Sequence, residues 1–167
     1  VVVHVDSDGA RLARPTADCK ILQGVTLEVG GNCGASPGPF SASTLSERRD
    51  DLRSRYGIDA AWEDFGGFLD ALDAAPCAMN FCCLVGLGET RKAAGALTPG
   101  PLAKELLDHQ RALVRDACER GAIGVSSGLI CQPGRFAALD ELASPAAPAP
   151  AAGRPRAAPP TPTEGAD

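Results

Sequence analysis

The sequence predicts an α/β fold in which strands and helices alternate along the chain. Residues 1–5 are rich in valine, and residues 25–29 alternate apolar with polar side chains, which is the pattern of a strand with one buried face. A continuous apolar run over 77–85 is typical of a parallel strand that is buried on both faces. Apolar residues recur every three or four positions over 62–74 and 99–120, which predicts two amphipathic helices.

Three shorter elements complete this alternation. Residues 15–23 can form a helix that joins the first two strands, because a proline opens the segment and a glycine follows it. Residues 44–56 are densely charged and are predicted to form a solvated helix, with Thr44 or Ser46 as its N-terminal cap. Residues 122–125 form the last predicted strand, and a loop follows them.

The composition changes abruptly at residue 144. From there to residue 167 the chain is rich in alanine and proline and has no large apolar side chain. Such a segment cannot bury enough surface to offset the entropy cost of ordering its backbone. We therefore predict one α/β domain over 1–143 and a disordered C-terminal tail over 144–167.

Charge and composition exclude several classes of function. The formal net charge is -5 and both signs are interspersed, so we expect no nucleic-acid partner. No apolar run approaches the ~20 residues that span a bilayer, and no signal peptide is evident, so we expect a cytoplasmic protein without a membrane partner. The seven cysteines include no C-x-x-C pair, which argues against a disulfide framework or a zinc ribbon; most are predicted to be reduced core thiols.

The most distinctive motif is the glycine-rich turn Gly30-Gly31-Asn32-Cys33-Gly34, directly after the second strand. Its glycines permit a positive φ and close backbone approach, so Cys33 can be presented at the end of the strand. That is a suitable position for a metal ligand or a nucleophile. Free cysteine is also among the most buried residue types, so the residues alone leave an apolar plug open as the second interpretation.

Further segments accompany this turn in a recognisable order. They are Lys20-Ile21-Leu22-Gln23-Gly24-Val25-Thr26, Ser36, Pro39, Trp62 with Phe65 and Leu69, Asn80 before Leu84-Val85-Gly86, Gly121-Ala122-Ile123-Gly124, Ser126-Ser127-Gly128-Leu129-Ile130, Pro133-Gly134 and Phe136-Ala137. In order and spacing they resemble the N-terminal barrel portion of the N-acyl-D-amino-acid deacylases, which are D-aminoacylase-like members of the amidohydrolase superfamily. The resemblance covers residues 1–143.

The resemblance implies a partial (β/α)8 TIM barrel of the metal-dependent hydrolase type, with about four βα units and a site at the C-terminal ends of the strands. It implies Zn²⁺ as the cofactor, with Cys33 as a thiolate ligand and with His4 and Asp6 where the family has two histidines. The implied reaction is zinc-assisted hydrolysis of a carbon–nitrogen amide bond in a small N-acyl-amino-acid substrate. The family's remaining ligands and catalytic aspartate correspond to positions beyond this chain, so we name no catalytic residue.

Three residues are predicted to bind substrate. Arg91 matches the arginine of the family's G-H-G-x-x-R turn, which reads Gly86-Leu87-Gly88-Glu89-Thr90-Arg91 here. Its guanidinium can grip a carboxylate, although an arginine after a strand is as often a loop brace. Ser126 and Ser127 lie in the loop after the last strand. The chain departs from the family pattern where leucine replaces the histidine of that turn and where Cys131 replaces a tyrosine.

Two other motifs compete with this interpretation. Gly124-Val125-Ser126-Ser127-Gly128 matches the G-x-S-x-G nucleophile elbow, but Pro133-Gly134 breaks the helix that an elbow requires, and both histidines precede the serine. Gly86-Leu87-Gly88 after a strand is a weak dinucleotide-binding motif, because Arg91 occupies the position of the third glycine. We rank both below the metallohydrolase.

About four βα units are half of a (β/α)8 barrel and would leave strand edges unpaired and one sheet face uncovered. We therefore expect a fragment, a truncated gene product or a decayed paralogue. The alternative, from a different functional class, is a non-catalytic remnant or interaction module. Such a module would pair its open sheet edge with itself or with a complementary barrel half.

Overall fold

The computed structural model describes residues 1–4, 7–75, 77–146 and 156–157, and it has the predicted α/β fold. Its elements are β1 (Val2–Val3), α1 (Asp8–Ala13), α2 (Asp18–Ile21), β2 (Leu27–Gly30), α3 (Ala42–Tyr56), α4 (Phe65–Ala74), β3 (Asn80–Cys83), β4 (Val85–Gly86), α5 (Leu87–Ala93), α6 (Lys104–Arg120), β5 (Val125–Ser126), a 3-10 turn (Gly134–Phe136), α7 (Leu139–Ala146) and β6 (Arg156–Ala157).

All paired strands in the described ranges run parallel. One sheet has the order β1-β2-β3 and a second has the order β4-β5-β6. Leu84 alone separates β3 from β4; its N–H donates to the Gly30 carbonyl at 3.0 Å, and the N–H of Val85 donates to the Gly124 carbonyl at 3.0 Å. The apolar segment predicted as one strand is therefore two short strands that connect β2 on one side with β5 on the other.

The hydrophobic core lies where α4 and α6 cover the strands. Phe65, Phe68, Val85 and Val114 are fully buried there. Trp62 packs against Phe68 in a tilted arrangement, with the ring centroids 5.5 Å apart and an angle of 56° between the ring planes. The aromatic residues of segment 62–74 are core residues, as their helical spacing predicts.

The observed N-cap residues set where α3 and α4 begin, and both helices begin at residues other than the predicted ones. α3 starts at Ala42 because Ser41 is its N-cap, and Thr44 closes a capping box with Ser41, so neither predicted cap holds. α4 starts at Phe65 because the Asp64 carboxylate accepts the N–H of Gly67 at 2.7 Å.

The prediction of one solvated face on the second strand is wrong. Glu28 is 0% exposed, because α1 and α2 cover that face of β2 and supply cationic partners to the carboxylate. α1 was not predicted from the sequence. The Gly86–Arg91 segment, predicted as a turn, instead begins helix α5, in which the hydroxyl of Thr90 donates to the Leu87 carbonyl at 3.1 Å.

The predicted tail falls mostly outside the described residues. Helix α7 continues to Ala146, three residues into that segment, and Arg156–Ala157 pairs in parallel with β5. Residues 147–155 and 158–167 are not described, so their predicted disorder stays a prediction. None of the helices in the described ranges has the length and apolar character needed to cross a membrane.

Candidate functional site

The glycine-rich turn after β2 has an unusual backbone. Gly31 and Gly34 both have φ of +73°, and Cys33 between them has φ of +55°. Glycine adopts this left-handed region freely, whereas a cysteine there is uncommon and is held in place by its surroundings. Residues in such conformations cluster at functional sites, which draws attention to the Cys33 thiol.

The backbone of the turn is in direct contact with the backbone at the ends of other strands. A Cβ built on Gly31 would lie 1.9 Å from the Leu84 carbonyl oxygen, and one built on Gly86 would lie 2.3 Å from the Gly34 carbonyl oxygen. A Cβ on Gly128 would lie 2.0 Å from the carbonyl oxygen of Cys33. The ends of β2, β4 and β5 therefore meet around Cys33 with no space for side chains between them.

Hydrogen bonds hold the turn in this position. The hydroxyl of Ser126 donates to the Gly31 carbonyl and accepts the N–H of Gly34 at 3.1 Å. The carboxylate of Asp8 accepts the N–H of Gly31 at 2.8 Å, and the N–H of Glu89 donates to the Gly34 carbonyl at 3.0 Å. Four hydrogen bonds from three elements, β5, α1 and α5, thus restrain the backbone on both sides of Cys33.

Ser126→Ala is expected to lower the free energy of unfolding by about 1–3 kcal/mol, because it leaves a buried N–H and a buried carbonyl of the turn without partners. Urea unfolding followed by circular dichroism measures this. Ser46→Ala, at an exposed position of α3, is the control and should change stability by less than about 0.5 kcal/mol. Equal effects of the two changes would show that Ser126 does not restrain the turn.

Cys33 and His4, two of the predicted metal ligands, lie together. The Cys33 sulfur is 3.1 Å from Nε2 of His4. His4 follows β1, which pairs in parallel with β2, so the two strands deliver both side chains to the same edge of the sheet. Asp6, the third predicted ligand, lies outside the described residues.

The donor set fits part of a zinc site. Tetrahedral zinc, with bonds of about 2.3 Å to sulfur and about 2.0–2.1 Å to nitrogen, separates two such ligand atoms by about 3.6 Å. The observed 3.1 Å requires an adjustment of about 0.5 Å, which an exposed imidazole can make. Within the described residues, no group of three or more histidine, cysteine or acidic side chains is arranged to hold a metal. A thiolate and an imidazole are therefore the ligands that the described part of the chain brings together.

Arg91 is a buried brace. Its guanidinium is 1% exposed; it pairs with Glu141 and also donates to the carbonyls of Ala96, at 3.2 Å, and Gly100, at 2.7 Å. These bonds use the donors that a substrate carboxylate would need. The placement favours the loop-brace interpretation over the predicted grip on substrate.

The two predicted substrate-binding serines occupy different environments. Ser126 is 2% exposed and its hydroxyl is bonded to the turn, so it is positioned to support Cys33 and not to contact a ligand. Burial also argues against Ser126 as an elbow nucleophile, and no helix follows it directly. Ser127 is partly exposed and lines a small cavity under the loop.

A cleft of about 410 Å³ opens beside Cys33. The turn, helix α3 and the loop over 128–134 form its walls, and Cys131 lines it together with Cys33. Arg48 and Lys92 also line the cleft, and each lies 3.2 Å from the buried carboxylate of Glu89. A small polar molecule has access to the Cys33 side of the sheet through this cleft.

None of the seven cysteines, all of which lie in the described ranges, is in a disulfide, but the prediction that most are core thiols is wrong. Only Cys83 and Cys118 are buried, while Cys19 and Cys131 are exposed. Burial raises the pKa of the Cys83 thiol well above its ordinary value, and the charge of Asp8 adds to the effect. Cys83 is therefore a protonated, unreactive thiol at neutral pH, unlike what a metal ligand requires.

No protein-family model matches the chain, but individual proteins do. D-aminoacylase of Alcaligenes xylosoxydans xylosoxydans is 34% identical over 139 residues, which are 83% of this chain and 28% of the relative. A crystal structure of D-aminoacylase, described as defining a novel subset of amidohydrolases, superposes with a TM-score of 0.81 and 31% identity. It is matched over 93% of this chain and 32% of its own length.

The chain is a homologue of the D-aminoacylase-like deacylases. A second solved structure supports this assignment: N-acyl-D-glutamate deacylase from Bordetella bronchiseptica, in complex with zinc and a phosphonate mimic of the tetrahedral intermediate. It has a TM-score of 0.81 and 29% identity, over 93% of this chain and 32% of its own length. The family resemblance drawn from the motifs is thereby confirmed. The matched region spans about a third or less of each relative.

The sequence analysis of this D-aminoacylase homologue did not identify the residues whose hydrogen bonds hold the turn around Cys33. Asp8 and Glu89 were not singled out, although both contact the turn. Ser36, which belongs to the resemblance, accepts the N–H of Gly86 at 3.1 Å and links β4 to the segment after the turn. For Ser36 and Glu89 the available sequence signal is that they lie close to glycines at strand ends.

Proposed function

We propose that this chain is the N-terminal part of a (β/α)8 amidohydrolase barrel that hydrolyses N-acyl-D-amino acids, with Zn²⁺ held at Cys33 and His4. The observation that carries the proposal is the 3.1 Å separation of the Cys33 sulfur and His4 Nε2 at the edge where parallel strands end. Relatives that act on N-acyl-D-amino acids, one of them solved with zinc, support the same chemistry. The parallel order of β1, β2 and β3 supports the barrel.

In this proposal the chain supplies two ligands and a rigid frame for them. Cys33 would bind as a thiolate and His4 as a neutral imidazole through Nε2, with the ring hydrogen of His4 on Nδ1. When bound, zinc would activate a water molecule and polarise the amide carbonyl of the substrate. Ser126, Asp8 and Glu89 keep the turn in place, so that the thiolate points consistently toward His4.

The cleft beside Cys33 is the proposed path for the substrate. Its lining carries both cations, such as Arg48 and Lys92, and carboxylates, such as Asp8 and Asp51, and this mixed polar surface suits a small polar molecule such as an N-acyl-amino acid. The exposed thiol of Cys131 and the backbone of the 128–134 loop form the opposite wall. Arg91 has no part in this path because its guanidinium is buried elsewhere.

Zinc content of the purified chain tests the proposal. After dialysis against zinc, the wild type is expected to retain close to one zinc ion per folded chain, and Cys33→Ser is expected to retain almost none, because a serine hydroxyl is a far weaker zinc ligand than a thiolate. Atomic emission gives the stoichiometry, and circular dichroism checks folding. Substitution with cobalt(II) adds a second readout, since the thiolate charge-transfer band should disappear in the variant.

Cys19→Ser is the matched control, because Cys19 is an exposed cysteine of α2 that does not line the cleft. It should retain zinc like the wild type. Folded wild-type protein that holds no zinc would contradict the catalytic proposal and would favour a non-catalytic module. Equal loss of zinc in both serine variants would show that the metal binds nonspecifically to thiols.

A further inference from the structure

Two buried hydrogen-bond acceptors in the described part of the chain lack a protein partner and belong to the same region. They are Oε1 of Gln110 on α6 and Oε2 of Glu141 on α7. Gln110 is 1% exposed and Glu141 is 3% exposed. Buried polar atoms in folded proteins are almost always bonded, so each of these oxygens requires a partner that the protein itself does not supply.

The other end of each side chain is already committed. The Gln110 amide nitrogen donates to the Leu87 carbonyl at 3.0 Å and to the hydroxyl of Thr90 at 3.3 Å. A carbonyl only accepts hydrogen bonds, so the amide must present its NH₂ to Leu87 and leave its oxygen unpaired. Oε1 of Glu141 accepts from the Arg91 guanidinium, which leaves Oε2.

Both residues line one small, partly enclosed cavity of about 10 Å³ between α5, α6, α7 and the loop after β5. A buried water needs about 10–15 Å³ and two to four polar partners, so the cavity is at the lower limit for a single water. Its lining also includes Ser127 and Arg91, and the Arg91 guanidinium pairs with Glu141. The positive charge of Arg91 makes the cavity unsuitable for a metal cation.

We propose that this cavity is a binding site for one structural water molecule. The water donates its two hydrogens to Oε1 of Gln110 and Oε2 of Glu141, which satisfies both acceptors at once. Ser127 also lines the cavity, and a serine hydroxyl can donate a hydrogen bond to the water oxygen. The water thereby joins α6, α7 and the loop after β5.

This water site supports the candidate metal turn indirectly. Gly128, the next residue after Ser127, packs so closely on Cys33 that an added Cβ would lie 2.0 Å from the Cys33 carbonyl oxygen. The water therefore fixes the position of this loop relative to α6 and α7, and the loop in turn packs against the turn in a defined position. The water site depends on packing and is independent of zinc binding and of deacylase activity.

A high-resolution crystal structure of the full 167-residue chain tests the proposal. The expected result is one water peak in the cavity, within about 2.6–3.0 Å of both oxygens. The peak should be lost in Gln110→Met, which keeps a side chain of similar length without an acceptor. It should persist in Thr90→Val, which removes a partner of the Gln110 nitrogen and leaves the oxygen unchanged.

The wild-type structure alone is decisive if a variant does not fold. A dry cavity, or acceptors that turn out to bond to protein groups, would overturn the proposal. A peak surrounded by five or six oxygens at metal-ligand distances would also overturn it, because it would identify a cation in place of water. A water that remains in Gln110→Met at the same position would show that Gln110 does not bind it.

Discussion

Glu28→Ala is expected to lower the free energy of unfolding by about 3–5 kcal/mol, because it leaves the buried Arg11 guanidinium without its counter-charge. Glu28 is 0% exposed and Arg11 is 2% exposed, with 3.9 Å between their nearest charged atoms. Lys20 pairs with the same carboxylate but is 24% exposed and can turn toward solvent. Arg11 has no such freedom, since its Nη2 is bonded to the Met79 carbonyl at 2.7 Å and its Nε and Nη1 lack hydrogen-bond partners.

Urea unfolding of the wild type and Glu28→Ala measures this loss. Glu47→Ala, which removes an exposed carboxylate from α3, is the control and should change stability by less than about 0.5 kcal/mol. The double variant Arg11→Met with Glu28→Met should recover most of the loss, because a buried ion pair can often be replaced by apolar side chains of similar size. A loss under about 1 kcal/mol in Glu28→Ala would mean that water reaches Arg11.

The second large effect is expected at Gly31 of the metal turn. Gly31→Ala should destabilise the fold by about 3 kcal/mol or more, because its Cβ would lie 1.9 Å from the Leu84 carbonyl oxygen in addition to adopting a left-handed φ. The displaced turn would also move Cys33, so the variant should lose zinc if the proposed metal site is correct. Thermal unfolding and zinc stoichiometry measure the two consequences separately.

Gly24 provides a matched control for Gly31. Its φ is +79°, close to the +73° of Gly31, but no atom lies within 4 Å of a Cβ built on it. Gly24→Ala therefore carries only the backbone cost of about 1–2 kcal/mol. The difference between the two variants isolates the contact with Leu84, and equal destabilisation would show that the close approach around the turn is relaxed in solution.

The elements that the sequence predicts best are those with a long internal pattern. The helices over 62–74 and 99–120 were found from their apolar period, and the structure places them at Phe65–Ala74 and Lys104–Arg120. The predicted first residues of these helices are less accurate, because an N-cap such as Asp64 acts through one side-chain hydrogen bond that does not change the apolar periodicity of the sequence. The short helices α1 and α5 were missed since neither is long enough to show a period.

The candidate site was predicted only in part, for a related reason. The motif around Cys33 predicts a metal site at Cys33 and His4, and the structure brings these two side chains within 3.1 Å, while their role as metal ligands stays a prediction. Arg91 has the residue type of a carboxylate binder, but its role depends on Glu141, which lies 50 residues later in the chain. A contact over that distance has no signature in local sequence, so the brace could not be distinguished from a substrate ligand.

The sequence by itself determined the α/β class, the two long helices, the glycine turn at the end of β2 and the resemblance to the D-aminoacylase family, because each rests on a local pattern or a local motif. Tertiary structure alone decided which polar residues are buried. The sequence predicts Glu28 on the polar face of a half-solvated strand, but in the structure α1 and α2 cover that face. The sequence predicts Ser126 in a substrate loop, but in the structure its hydroxyl is bonded to the Gly31 carbonyl. Burial depends on which elements pack together, and residues far apart in the chain make that packing.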